Sequence, residues 1–95
     1  MENTPKIVCL CGSTRFMDAF HEAAKQETIA GRIVLTIHGG GQEIHGTYLK
    51  IVMDRLHRHR IDLCDEILVL NVGGYIGEST RREIAYAKAL GKRIR

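Results

Sequence analysis

Apolar and polar positions alternate along the chain between two kinds of pattern. Lys6 to Cys11, KIVCLC, is a short apolar run halted by Gly12, as expected of a strand buried on both faces. The next stretch, STRFMDAFHEAAKQETIA, changes to a helical period. Phe16, Phe20, Ala23 and Glu27 fall on one stripe, and Gly31 supplies the stop. Arg32 to Ile37, RIVLTI, returns to strand character. HGGGQEIHG, 38–46, has four glycines and no period, so it reads as the one long loop. A second helix is expected from Thr47 to Leu63, burying Leu49, Val52, Met53, Leu56 and Leu63. EILVLNV, 66–72, is a third strand, and GGYIG turns into a third helix, Glu78 to Leu90, closed by Gly91. KRIR begins a fourth strand.

Strands alternating with helices specify βαβ units, and hence parallel strands with right-handed crossovers. The expected fold is a flavodoxin- or Rossmann-like α/β three-layer sandwich, with a four-stranded parallel sheet ordered 2-1-3-4. Ligands bind such sheets beyond the carboxyl ends of the strands, at the switch between strands 1 and 3. Both glycine-rich turns, CGSTR and NVGGYIGEST, fall at that rim.

Composition narrows the setting. A chain of 95 residues, 44% hydrophobic and 26% charged, is expected to form a single globular domain, 1–95, without repeats or linkers. The net charge of +3 comes largely from RLHRHR, Arg55 to Arg60, and from KRIR; both read as solvated faces. No apolar run approaches the ~18 residues of a membrane span. MENTPK is not a signal peptide, and an odd cysteine count suits a reducing cytoplasm. No recognition motif or aromatic platform points to nucleic acid.

The third helix carries the first chemical signal. Ile84, Tyr86, Ala87 and Leu90 fan across the face that must pack on the sheet, and Glu83 sits within that fan. A carboxylate there is costly unless paired or exposed to a pocket. Arg15 or a tyrosine, Tyr75 or Tyr86, is the expected partner. The turn after strand 1 offers amides at a helix N-terminus, the Ser13 and Thr14 hydroxyls and the Arg15 fork, a set suited to phosphate. Ser13 or Thr14 as a plain N-cap explains part of it.

Cys9 and Arg15 also form a Cys-x5-Arg spacing, the layout of thiolate phosphatases. Against that reading, Gly12 comes three residues after Cys9, which places Cys9 inside the strand. Phe16 follows the arginine where those enzymes carry Ser or Thr, and no late aspartate is available. For metals the expectation is none. Cys9 and Cys11 share one side of a strand without a second cysteine pair, and His57 and His59 diverge on their helix. No cofactor is expected.

CGSTR resembles the first-strand motif of the 2'-deoxynucleoside 5'-phosphate N-hydrolases. CDEILVLN and GESTRREIAYAKALGKRI are similar to the third- and fourth-strand region of the wider nucleoside 2-deoxyribosyltransferase superfamily. The resemblance implies a glutamate nucleophile at Glu83, within EIAYA, that displaces the base from the anomeric carbon of a nucleoside 5'-monophosphate. It implies phosphate binding by Gly12, Ser13, Thr14 and Arg15, with Ser79 a shifted contributor. Asn71 and Tyr75 complete the expected substrate set. Asp65 matches a structural aspartate. His57 stands where the family has a catalytic aspartate, and as proton donor it would use a near-neutral pKa. Ala85 replaces a glycine. The resemblance further implies a pocket completed by a second copy, and so a homodimer or larger assembly. The alternative is a nucleotide-binding module without chemistry.

Overall fold

The computed structural model describes residues 4–37 and 48–95. The elements run β1 (Ile7–Cys11), a 3-10 turn (Thr14–Phe16), α1 (Met17–Ile29), β2 (Ile33–Leu35), α2 (Tyr48–Leu63), β3 (Glu66–Val69), α3 (Glu78–Ala89) and β4 (Arg93–Ile94). The four strands are all parallel, in the order β2-β1-β3-β4, so the expected α/β architecture and strand order are those observed. The expected glycine-rich loop, 38–46, lies outside the described residues. Among the described residues no helix is long and apolar enough to cross a membrane.

Register decides which side chains share a face. Ile7 pairs with Ile33, Cys9 with Leu35 and Ile67, Cys11 with Val69, and Ile67 with Ile94. With a side-chain period of two, these residues point one way. All but Ile33, which stays exposed at the sheet edge, meet Ile61, Cys64, Ile84 and Ala87 in one cluster, which fixes α2 and α3 on that face. Val8 and Leu10 point the other way, toward the α1 face, where Phe20 is buried. Asp65, expected to be structural, accepts a 2.8 Å bond from the Ile7 amide and so aligns the starts of β1 and β3.

The basic C-terminal stretch is not a solvated face throughout. Glu27 and Glu66 are buried. Arg95 binds Glu27 and reaches Glu66 at 3.0 Å, while Arg32 reaches Glu27 at 3.1 Å. Two carboxylates removed from water need such partners, and guanidinium forks supply several bonds each.

The inward face of α2 differs from the expected one. Ile61 and His57 are buried, whereas Leu49, Leu56 and Leu63 are 52%, 47% and 68% exposed. The helix has turned its polar stripe toward the sheet, because the residues opposite are thiols and a carboxylate rather than apolar groups alone. Ile61→Ala should therefore cost about 2–5 kcal/mol, as for a large-to-small change in a core. Leu63→Ala should cost about 0.5 kcal/mol or less, as at a surface position. Urea unfolding of dilute protein checks both; equal losses would restore the apolar-inward orientation.

Candidate functional site

A cleft of ≈ 440 Å³ opens between the two glycine-rich turns, α2 and α3. Its size is in the range of small-molecule sites. The first turn begins at Gly12, where an added Cβ would lie 3.1 Å from Leu70 Cβ and 3.3 Å from the Leu70 carbonyl oxygen. Any larger residue requires Leu70, just beyond β3, to give by a few tenths of an ångström. Ser13 is extended, and its hydroxyl accepts from the Arg15 amide at 3.3 Å, capping the 3-10 turn. The helix proper starts later than expected, at Met17, because this tighter turn intervenes.

The second turn is a reverse turn from Val72 to Tyr75, closed by the Tyr75 amide donating to the Val72 carbonyl at 3.1 Å. Gly73 and Gly74 have φ of 61° and 83°, a left-handed pair that other residues rarely adopt. The turn brings Tyr75 back over the first one. The Arg15 guanidinium lies 4.3 Å from the Tyr75 ring centre, and Phe16 meets that ring edge-on at 6.0 Å. Stacking of this kind holds the cation in place without neutralising it. Among the described residues Arg15 pairs with no carboxylate. α3 then starts at Glu78 behind Gly77, an N-cap with no side chain to offer, and Glu78, Ser79 and Thr80 line the cleft.

The floor is a buried polar cluster. His57 Nε2 lies 3.9 Å from Cys9 Sγ, 3.6 Å from Cys11 Sγ and 3.6 Å from Glu83 Oε1. Both sulfurs lack exposed surface, and Glu83 Oε1 is buried without a hydrogen-bond partner. Burial pushes the Glu83 carboxyl above its ordinary range, while the neighbouring His57 charge works against that shift. Burial also opposes a charged His57, but Cys9 and Glu83 outweigh it and raise its pKa. The hydrogen bond with Cys11 draws the Cys9 thiol down to about 6, against burial and with help from His57. Cys11 is pushed up by the same bond. The pair thus favours a thiolate at Cys9 over one at Cys11, with the imidazole facing it.

Gly12, Ser13, Thr14, Arg15, His57, Tyr75, Ser79 and Glu83 all line the cleft; Asn71, expected there, does not. Glu83 faces His57 rather than Arg15. Tyr86 cannot orient it, because the Tyr86 hydroxyl donates to Asp62 at 2.5 Å. Sequence reasoning missed Lys50, Asp54 and Arg60. Lys50 holds Asp54 at 3.2 Å, and Arg60 Nη1 lies 3.4 Å from His57 Nδ1. The signal was present: positions 50, 54, 57 and 61 recur at helical spacing on the face that became the inner one. The expectation of no metal ligands considered like residues close in sequence, whereas ligand atoms of Cys9, Cys11 and His57 lie within 4.8 Å of one another.

No family model matches the chain, and no curated protein matches it. The close fit at Gly12 gives a direct check on the first turn. Gly12→Ala should lower stability by about 1–3 kcal/mol, the range for a methyl forced into packed space. An unchanged urea midpoint would mean that β1 and β3 separate freely at the rim.

Proposed function

We propose that the chain is a nucleoside 2-deoxyribosyltransferase-like enzyme that cleaves the base–sugar bond of a (deoxy)nucleoside 5'-monophosphate. The observation that carries this reading is Glu83. Its buried, unpartnered oxygen lies at the floor of a cleft whose rim holds Arg15, which has no carboxylate partner among the described residues, and a helix start with no side-chain cap. Phosphate fits the rim, through the first turn, Arg15 and the α3 amides. The sugar would then lie over Glu83. The carboxylate attacks the anomeric carbon, the base departs with a proton, and water or a second base releases the sugar. His57 supplies a proton beside the nucleophile, and Asp54, one helical turn earlier, adds a carboxylate to the same wall.

Glu83→Gln should abolish base release from nucleoside monophosphates while preserving fold and ligand affinity. Full turnover in that variant would eliminate the covalent route. Only the ionised carboxylate attacks, and burial raises its pKa, so release should climb with pH through a midpoint above the ordinary carboxylate range. Arg15→Ala should weaken monophosphate binding by about 1.5–3 kcal/mol and leave the unphosphorylated nucleoside nearly unaffected. Calorimetry with both ligands reads this difference.

A nucleotide-binding module without chemistry is the second reading, favoured by the His57–Glu83 contact, which can neutralise the nucleophile. Binding without base release by folded wild type would select it. The thiol reading has no support from the geometry: Cys9 has no exposed surface and is absent from the cleft wall. Three free cysteines fit a reducing, cytoplasmic setting.

The proposal includes a homodimer. Leu49, Leu56 and Leu63 are exposed at spacings of seven on α2. Antiparallel pairing about Leu56 sets Leu49 against Leu63 of a second copy, the self-complementary contact that two-fold symmetry demands. Leu56→Asp should shift the protein to monomer in sedimentation; a monomeric wild type would remove the dimer.

A further inference from the structure

The cluster beneath the cleft has a composition that glycosidic chemistry does not require. A carboxylate nucleophile needs a positioned base or acid, but it does not need two thiols facing the same imidazole. Cys9 and Cys11 project from alternate positions of β1 to one side, and α2 lays His57 across both. α3 adds Glu83 from the next wall.

We infer that Cys9 Sγ, Cys11 Sγ and His57 Nε2, whose ligand atoms all lie within 4.8 Å of one another, form a binding site for a borderline divalent cation of the zinc type, with Glu83, beside His57, moving in to take the fourth position. The distances carry the inference. Tetrahedral zinc, with bonds of about 2.3 Å to sulfur and about 2.0 Å to nitrogen or oxygen, sets S···N near 3.6 Å and N···O near 3.3 Å. The corresponding edges here are 3.9 and 3.6 Å for the two thiols and 3.6 Å for Glu83. A contraction of a few tenths of an ångström brings the sulfur–nitrogen edges to bonding length, while Glu83, outside the 4.8 Å group, moves further to join them. The Glu83 oxygen, fully buried and without a hydrogen-bond partner, supplies an independent sign that the cluster lacks a group.

Ligand type selects the cation. Two thiolates, one imidazole and one carboxylate suit zinc or cobalt(II), whereas magnesium and calcium prefer oxygen alone. The route in is the cleft, since His57 and Glu83 both line it while the sulfurs lie behind them. Binding displaces any thiol proton still on the two sulfurs and requires His57 Nε2 to donate its lone pair. Arg60, 3.4 Å from Nδ1 and half-buried on the cleft wall, must then swing aside, because Nδ1 takes the proton. Cys64 is not a ligand: its thiol donates to the Ile61 carbonyl at 3.1 Å. The cation and the sugar compete for Glu83, so under the preceding reading a bound cation holds the enzyme inactive.

The test is cobalt(II) titration of chelator-treated wild-type protein, followed by absorption. The expected result is one equivalent per chain, with thiolate-to-cobalt charge transfer and the intense d–d bands of four-coordinate cobalt, both bleached by zinc. Cys11→Ser should lose about half of the charge transfer or more, and Cys64→Ser should retain it; circular dichroism confirms that each is folded. Absence of charge transfer in wild type, or its survival undiminished in folded Cys11→Ser, overturns the site. Neither outcome touches the preceding reading, which base release by metal-free protein tests separately.

Discussion

β1 has neighbours on both edges and helices on both faces, and the structure follows from that enclosure. It hydrogen-bonds to β2 and β3, and Val8 through Cys11 have no exposed surface. A strand so placed can hide apolar side chains without cost, but each polar atom must find a partner inside the protein. Val8 and Leu10 meet the requirement on the α1 side. On the other, α2 brings His57 against Cys9 and Cys11, and the Cys9 thiol also reaches the Leu10 carbonyl at 4.0 Å. The phase of α2 is therefore set by two sulfur atoms as much as by its own apolar residues.

That phase has two consequences. The first is the cleft: once His57 points inward, Lys50, Asp54 and Arg60 follow on the same face and become its wall. The second is the outer surface, where Leu49, Leu56 and Leu63 remain uncovered. A helix of this composition would bury its leucines if packing within one chain were the sole consideration. Site chemistry and surface thus have one cause.

The two glycine turns form a separate unit that β1 and β3 hold in register. Leu70 leaves little space for a side chain at Gly12, and the left-handed pair Gly73–Gly74 folds Tyr75 back onto Arg15. The cation is held at the rim by an aromatic ring, while the carboxylate sits on the floor with an imidazole. Separation of the charges matters chemically, since an arginine paired to Glu83 would leave neither free for a ligand.

The sequence by itself determined the strand order, the two turns and the inward position of Glu83. These depend on local period and on glycine placement, which a chain expresses without knowing its neighbours. It also marked Gly12 to Arg15, Tyr75 and Ser79 as rim residues, because the carboxyl ends of parallel strands converge there in this topology. Only the tertiary structure decided that α2 turns its histidine inward, that Arg15 stacks on Tyr75, that Asn71 is not part of the cleft lining and that Tyr86 bonds to Asp62. It alone joined Cys9 and Cys11 to His57, which is 46 residues away from Cys11. Hydropathy ranks leucine above histidine for burial, and it does so correctly when the opposing surface is apolar. Here the opposing surface was a pair of thiols beside a carboxylate, and no local period reports what lies across an interface.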